Sequence, residues 1–175
     1  MYKLSGAVLI IIMTTYYGFY LSRQLNIRLN MIDAYIYSLD YMQSQIRYGL
    51  TPLPQICMEL SRSINNDIVS KMYSDIYHEL MDISGKERTF DEIWKTELDR
   101  LLKSGVAGKE EIAVISELGQ VGTYIDRDMQ IQCVGNVSLK LKNIYNRMLK
   151  DISAKTKIYK ISGVMAGIII TILLI

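Results

Sequence analysis

Two stretches without a charged residue lie at the two ends of the chain, at residues 4–21 and 161–175. The first holds 18 residues, which as a helix reach ~27 Å, close to the ~30 Å hydrocarbon core of a bilayer. The second is shorter but richer in Ile and Leu, and Lys160 can lengthen it by snorkelling to the headgroups. We therefore expect a transmembrane helix at each end, over residues 1–22 and 158–175.

A buried core helix and a cleaved signal peptide are the alternative interpretations of these stretches. No polar face interrupts either stretch, which favours a membrane helix over a core helix. Lys3 supplies the positive start of a signal peptide, but the first stretch ends in Tyr16-Tyr17-Gly18-Phe19-Tyr20, without a small-residue cleavage pattern. Such aromatic residues are typical of a membrane interface. We favour a retained helix.

Lys and Arg cluster at the inner ends of both stretches, which predicts that the central domain, residues 23–157, is cytoplasmic. The region between the stretches carries 19 of the 20 basic residues and all 18 acidic ones, so its net charge is about +1. A nucleic-acid-binding surface would show a marked basic excess, so we expect no nucleic acid partner. Cys57 and Cys133 are expected to be reduced structural thiols.

The central domain is predicted to be an all-α bundle of about six helices, because no segment shows the alternation of a strand. Apolar residues at spacings of three and four form a stripe on its first helix. A coiled-coil seam is the alternative, but Gln43 interrupts the stripe, which ends within about three heptads. The stripe consists of Leu25, Leu29, Ile32, Ile36, Leu39 and Ile46.

The run Tyr48-Gly49-Leu50-Thr51-Pro52-Leu53 predicts a corner between two helices. Gly49 can adopt the left-handed conformation that ends a helix, and Thr51 can cap the next helix. Pro52 suits the first helical position. Beyond the corner we expect helices near 52–63 and 67–82 and a break at Ser84-Gly85.

Two capping boxes predict the starts of later helices. Thr89 with Glu92 opens a helix that Ser104-Gly105 closes, and a further helix covers 109–118. Thr123 with Asp126 opens the last helix, which no proline interrupts. From Thr123 to Lys160 it would measure ~57 Å, with Gly135 as the expected kink.

The sequence lacks a catalytic, cofactor or metal pattern, so we expect no enzyme. His78 is the single histidine and has no second histidine with which to share a metal. Residues 105–110 resemble a phosphate loop, but the glycine spacing is too short and Glu110 replaces the required Ser or Thr. The pairs Asp91-Glu92 and Glu110-Glu111 are interpreted as solvated helix starts that favour the helix dipole.

Gly163 and Gly167 form a small-xxx-small pattern in the second charge-free stretch. Such a surface allows another helix to pack closely, and Gly6 with Ala7 in the chain's own first stretch could supply that helix. A chance match is the other interpretation, because apolar sequence produces the pattern easily.

The whole chain resembles the stage III sporulation protein AB family of endospore-forming bacteria. The corner is the most specific part of the resemblance, and the chain departs from the family in having Gly119 and Gly122 three residues apart where four are expected. The residues that carry it are Lys3-Leu4-Ser5-Gly6-Ala7, Thr14-Thr15, Ile46 to Leu53, Trp94, Leu118-Gly119, Asp126-Arg127 and Gln130.

The resemblance implies a protein of the outer forespore membrane with its helical domain in the mother-cell cytoplasm. It implies a platform, related to those of type II secretion and type IV pilus machines, that docks a secretion-type ATPase in the channel between mother cell and forespore. Other channel membrane proteins are expected partners, and a homo-oligomer is left open. The candidate contact or signature residues are Tyr48, Gly49, Thr51, Pro52, Gly119, Asp126, Arg127 and Gln130.

Arg127 and Gln130 are the preferred contact candidates, because capping accounts for Thr51, Pro52 and Asp126. The alternative function is a membrane-anchored helical scaffold or signalling module that dimerises through the apolar stripe. Contacts that bury the stripe within one chain would favour the bundle, whereas an obligate parallel dimer would favour the scaffold.

Overall fold

The computed structural model of the chain describes residues 2–49, 51–82 and 88–174. These residues form six α-helices, one π-helical turn and one 3-10 helix, so the all-α prediction is confirmed. The π-helical turn Gln45–Gly49 follows the first helix, and the 3-10 helix Glu117–Thr123 follows the fifth. The α-helices are α1 (Tyr2–Ser44), α2 (Leu53–Ser63), α3 (Asp67–Leu80), α4 (Phe90–Lys103), α5 (Lys109–Ser116) and α6 (Arg127–Leu174).

In the described part of the chain, we find no helix with the length and apolar character that crossing a bilayer requires. The prediction of flanking transmembrane helices over residues 1–22 and 158–175 is therefore wrong. A spanning helix needs ~20 consecutive apolar residues, whereas the charge-free stretches hold 18 and 15. Within α1 and α6, each stretch continues directly into charged sequence.

The chain divides into two compact units. Unit 1 comprises the described residues of 1–29 and 147–175, and unit 2 is Asn30–Asn146. Unit 2 carries 12 Lys and Arg against 17 Asp and Glu, a net charge of −5. The near-neutral charge of the whole central region conceals this acidity, because the other basic residues of that region belong to unit 1. The central domain boundaries at 23 and 157 stay a prediction.

The apolar stripe of α1 is buried within the chain. Five of its six predicted members, Leu29, Ile32, Ile36, Leu39 and Ile46, are buried, as expected for a packed helix of the bundle, whereas Leu25 is half-buried and belongs to unit 1. The other buried apolar residues of unit 2 come mainly from α2, α3, α4 and α6. The buried residues of α1 and the turn that follows it are Leu29, Met31, Ile32, Tyr35, Ile36, Leu39, Met42 and Ile46.

α1 and α6 run antiparallel where they meet in unit 2. The Gln43 side-chain amide donates to the backbone oxygen of Ile131 (3.1 Å). Three residues earlier, the Asp40 carboxylate accepts from the Ser138 hydroxyl (2.8 Å) and from Lys142 (2.9 Å). Gln43 therefore interrupts the apolar stripe because it bonds α6.

Gly135 makes room for a side chain of α1, and the kink expected there stays a prediction. α6 is continuous from Arg127 to Leu174, and Gly135 lies within it. A Cβ at this position would lie 2.7 Å from Nε2 of Gln43. The glycine thus leaves space for the side chain that joins the two helices.

The predicted capping box of α4 is confirmed. The Thr89 hydroxyl accepts from the Glu92 amide, and the Glu92 carboxylate accepts from the Thr89 amide. At the other end, Gly105 has a φ of 72°, the left-handed conformation that suits glycine after a helix. The break predicted at Ser84-Gly85 lies outside the described residues.

Candidate functional site

Two segments far apart in the sequence meet around one cavity of about 300 Å³ in unit 2. One is the corner between α1 and α2. The other is the linker, which we define as the 3-10 helix and residues 124–126, together with the start of α6. Of the sequence-predicted residues, Thr51, Pro52 and Gln130 line this cavity together. We call it the corner site, and it is lined by Ile46, Thr51, Pro52, Leu53, Ile56, Phe90, Val121, Gly122 and Gln130.

The corner forms for other reasons than those predicted. The Thr51 hydroxyl donates to Oε1 of Gln45 (2.8 Å) and does not cap α2. Pro52 occupies the capping position itself, and its carbonyl accepts from the Ile56 amide (3.1 Å). Gly49 does not have the left-handed conformation, which among the described glycines belongs to Gly105. It is needed because a Cβ there would lie 2.7 Å from the Thr51 hydroxyl oxygen.

Tyr48 is the exposed residue of the corner. Its side chain is 78% exposed, and the Arg47 guanidinium lies 6.0 Å from the centre of its ring. An exposed tyrosine beside an arginine combines two residue types that dominate protein interfaces. Tyr48 is therefore available for a partner contact.

Gly119 and Gly122 allow the linker to lie directly against the start of α4. A Cβ at Gly119 would touch the Asp91 carboxylate and lie 3.4 Å from Cδ1 of Trp94. A Cβ at Gly122 would lie 2.9 Å from Cβ of Phe90. Gly119 is buried, so its role in the structure is close packing, and Trp94 is the core residue on which it rests.

Trp94 joins three helices of unit 2. Its indole N–H donates to the backbone oxygen of Ile115 (2.9 Å), at the end of α5. Its ring lies 5.5 Å from that of Phe90 and 6.0 Å from that of Tyr73, measured between centres. The tryptophan thus links α3, α4 and α5, and Phe90, on which it stacks, lines the corner site.

The second predicted capping box does not form, and α6 begins at Arg127. The Thr123 hydroxyl instead donates to the backbone oxygen of Gln120 (2.7 Å) within the 3-10 helix. Asp126 caps α6 alone, because its carboxylate accepts from the Asp128 amide (3.1 Å). The helix start was therefore predicted four residues too early.

Gln130 has an internal role that the sequence did not reveal. Its side-chain amide donates to the backbone oxygens of Tyr124 (2.8 Å) and Val121 (3.3 Å). It thereby joins α6 to the linker that precedes it. Arg127, by contrast, is exposed at the start of α6. Contact roles for these residues stay predictions.

The cysteine, histidine and carboxylate side chains that could act in catalysis or metal binding are buried or dispersed. Burial raises the pKa of the Cys57 thiol to about 12, which makes its thiolate rare. Cys133 is half-buried with a raised pKa, again mainly through burial, and His78 is exposed beside the ring of Tyr77. Within the ranges that the structure describes, no three His, Cys, Asp or Glu residues group as metal ligands.

Two buried carboxylates were missed at the sequence level. Glu111 is fully buried, so the interpretation of Glu110-Glu111 as a solvated helix start is wrong for its second member. Glu97 is 5% exposed and paired with Arg100. Its spacing from Ile93 and Trp94, four and three residues, places it on the buried face of α4 and could have revealed this.

The glycines predicted to pack a membrane helix, Gly163 and Gly167, lie in α6. Their surroundings are outside the part of the chain whose side chains the structure describes. The packing role remains a prediction.

Two comparisons with known proteins give matches over nearly the whole chain. The family described as stage III sporulation protein AB matches residues 3–175. A protein named stage III sporulation protein AB from Bacillus subtilis (strain 168) is 26% identical over 175 residues, covering 99% of this chain and 99% of that protein. No solved structure matches the chain significantly. Both matches include the corner site.

Proposed function

Since this chain belongs to the stage III sporulation protein AB family, we propose that it is a non-enzymatic platform component of a secretion-like channel between mother cell and forespore. Unit 2 docks a secretion-type ATPase in this proposal. A role in sporulation follows from the family, whose name describes a stage of sporulation and no enzymatic reaction. The channel and the ATPase are the proposed part.

The convergence of corner and linker is the observation that carries the proposal. Two of the segments that carry the resemblance enclose one cavity, although about 70 residues separate them. Its lining is mainly apolar, and Tyr48 beside it is exposed. An apolar depression next to an exposed aromatic residue is typical of a protein interface.

The charge of unit 2 adds a partner class to the proposal. A net charge of −5 favours a basic protein surface and disfavours nucleic acid, whose phosphates it would repel. We place the protein at the outer forespore membrane, with unit 2 on the mother-cell side.

The scaffold alternative loses its main support. Dimerisation through the first cytoplasmic helix would need the stripe of Ile32, Ile36 and Leu39 on the surface, and all three are buried within the chain. A homo-oligomer through another surface is compatible with the platform.

Direct binding of the purified ATPase to the full-length chain tests the proposal. We expect a dissociation constant in the micromolar range or tighter, and a several-fold loss of affinity for Tyr48→Ala. Tyr37→Ala is the matched control, because Tyr37 is also an exposed tyrosine of unit 2 but lies on α1. Absence of binding by a folded chain at tens of micromolar ATPase would overturn the proposal.

A further inference from the structure

Ile125 is the most exposed large apolar residue of the described chain. Its relative accessibility is 104%, so the side chain gains nothing from the fold around it. It lies between the 3-10 helix and α6, beside the corner site. Met129, in the first turn of α6, is a second apolar residue close by in sequence, and its side chain is 55% exposed.

Both neighbours of Ile125 are held by hydrogen bonds. The Tyr124 carbonyl accepts from the side-chain amide of Gln130 (2.8 Å), and the Asp126 carbonyl accepts from the backbone amide of Gln130 (3.1 Å). The Asp126 carboxylate also accepts from the Asp128 amide (3.1 Å). A residue presented on such a fixed segment loses little backbone entropy when it binds.

The same residues connect Ile125 to the corner site. Gln130 lines the cavity and at the same time bonds the carbonyl before Ile125. The backbone that presents Ile125 is thus hydrogen-bonded to a residue of the cavity wall, and Gly122, three residues before Ile125, also lines the cavity.

Charge distinguishes between occupants of this surface. Asp126 and Asp128 follow Ile125 in the chain and are exposed, with Arg127 between them, and unit 2 as a whole carries −5. A second copy of unit 2 would bring the same negative charge to the contact. A basic partner surface would be attracted to it.

We propose that Ile125 is the anchor of the docking surface: it enters an apolar pocket of the partner whose rim carries Lys or Arg residues. The inference rests on the proposed function, because the partner is the docked ATPase. An exposed apolar side chain next to charged residues matches the apolar centre and polar rim of a protein interface.

Affinity measurements with the full-length chain and the purified ATPase test the anchor. Ile125→Ala should weaken binding at least tenfold with an unchanged melting temperature. Ile125→Val, which removes one methylene, should weaken it about fourfold, the equivalent of ~0.8 kcal/mol. Leu139→Ala is the matched control, because Leu139 is an exposed aliphatic residue of α6, ~18 Å along the helix from its first residue. It should bind like the original chain.

Asp128→Asn tests the basic rim. It should slow association several-fold at low salt and have little effect at high salt, because an exposed charge acts mainly by steering. An Asp128→Asn variant whose association rate is unchanged at low salt would overturn the basic rim.

The remaining outcomes separate the two proposals. Equal binding by Ile125→Ala and the original chain would overturn the anchor and leave the docking function in place. Loss of self-association in Ile125→Ala, with ATPase binding intact, would assign the surface to a second copy and overturn the inference. A folded original chain that does not bind the ATPase would overturn both proposals.

Discussion

Replacement of Gln130 by Met distinguishes a structural brace from a partner contact. Met is similar in length and is a good helix former, so the substitution removes the amide while changing α6 little. The two hydrogen bonds to Tyr124 and Val121 are lost. If Gln130 were only a contact residue, its replacement would leave the stability of the free chain unchanged.

The magnitude follows from the two bonds. A neutral hydrogen bond contributes about 0.5–1.5 kcal/mol, and a buried acceptor left without a partner adds to the loss. The bond to Tyr124 is short at 2.8 Å and the bond to Val121 is long at 3.3 Å, and Val121 is buried. We expect a loss of ~1.5–3 kcal/mol, or roughly 4–10 °C in melting temperature for a chain of this size.

Thermal and urea unfolding of the full-length chain measure this loss. Gln132→Met is the control, because Gln132 lies on the same helix with an exposed side chain, and it should change stability by less than about 0.5 kcal/mol. A Gln130→Met chain as stable as the control would refute the brace. ATPase binding by Gln130→Met should also weaken, because Ile125 would no longer be held in place.

Three further substitutions test the packing, the buried carboxylate and the helix start. Gly122→Ala should destabilise the chain by ~1–3 kcal/mol in unfolding experiments, because its Cβ would lie 2.9 Å from Cβ of Phe90. Burial raises the pKa of the Glu97 carboxyl above the unfolded value of 4.5. The stability of the chain should therefore fall as the pH rises from 4.5 through the raised pKa, and Glu97→Gln should remove this fall in a pH series. Asp126→Ala should lose ~0.5–2 kcal/mol and reduce helicity in circular dichroism, because it removes the cap of α6.

The parts of the fold that depend on local spacing were predictable. The apolar stripe of α1 requires only the 3.6-residue period, and the capping box of Thr89 with Glu92 requires only a spacing of three. Both are confirmed. Thr123 with Asp126 has the same spacing, yet the 3-10 helix extends to Thr123 and leaves Asp126 as the cap. Spacing alone cannot tell which of two cap candidates the preceding turn will occupy.

The membrane prediction failed for a related reason. Stretches of 18 and 15 uncharged residues were taken as long enough to span, with Lys160 lengthening the second, whereas a spanning helix needs ~20 consecutive apolar residues. The stretches hold 18 and 15 residues before the charged sequence of α1 and α6 resumes.

The corner site could be only half predicted. Its residues were recognisable as unusual, but nothing in the order of residues indicates that Thr51 and Gln130 line one cavity. That proximity depends on Gly122 lying against Phe90, a contact between segments about 30 residues apart. The burial of Glu97 likewise depends on which face of α4 the core selects.

The arrangement separates the properties that a docking surface needs. Charge on unit 2 acts at a distance and sets how often a basic partner arrives, whereas a fixed apolar side chain acts on contact and sets how long the partner stays. Ile125 lies on the segment that Gln130 holds, and Gln130 also lines the cavity. Affinity therefore depends on the same hydrogen bonds that stabilise the start of α6. A substitution inside the chain that removes them should shorten the lifetime of a complex formed on its surface.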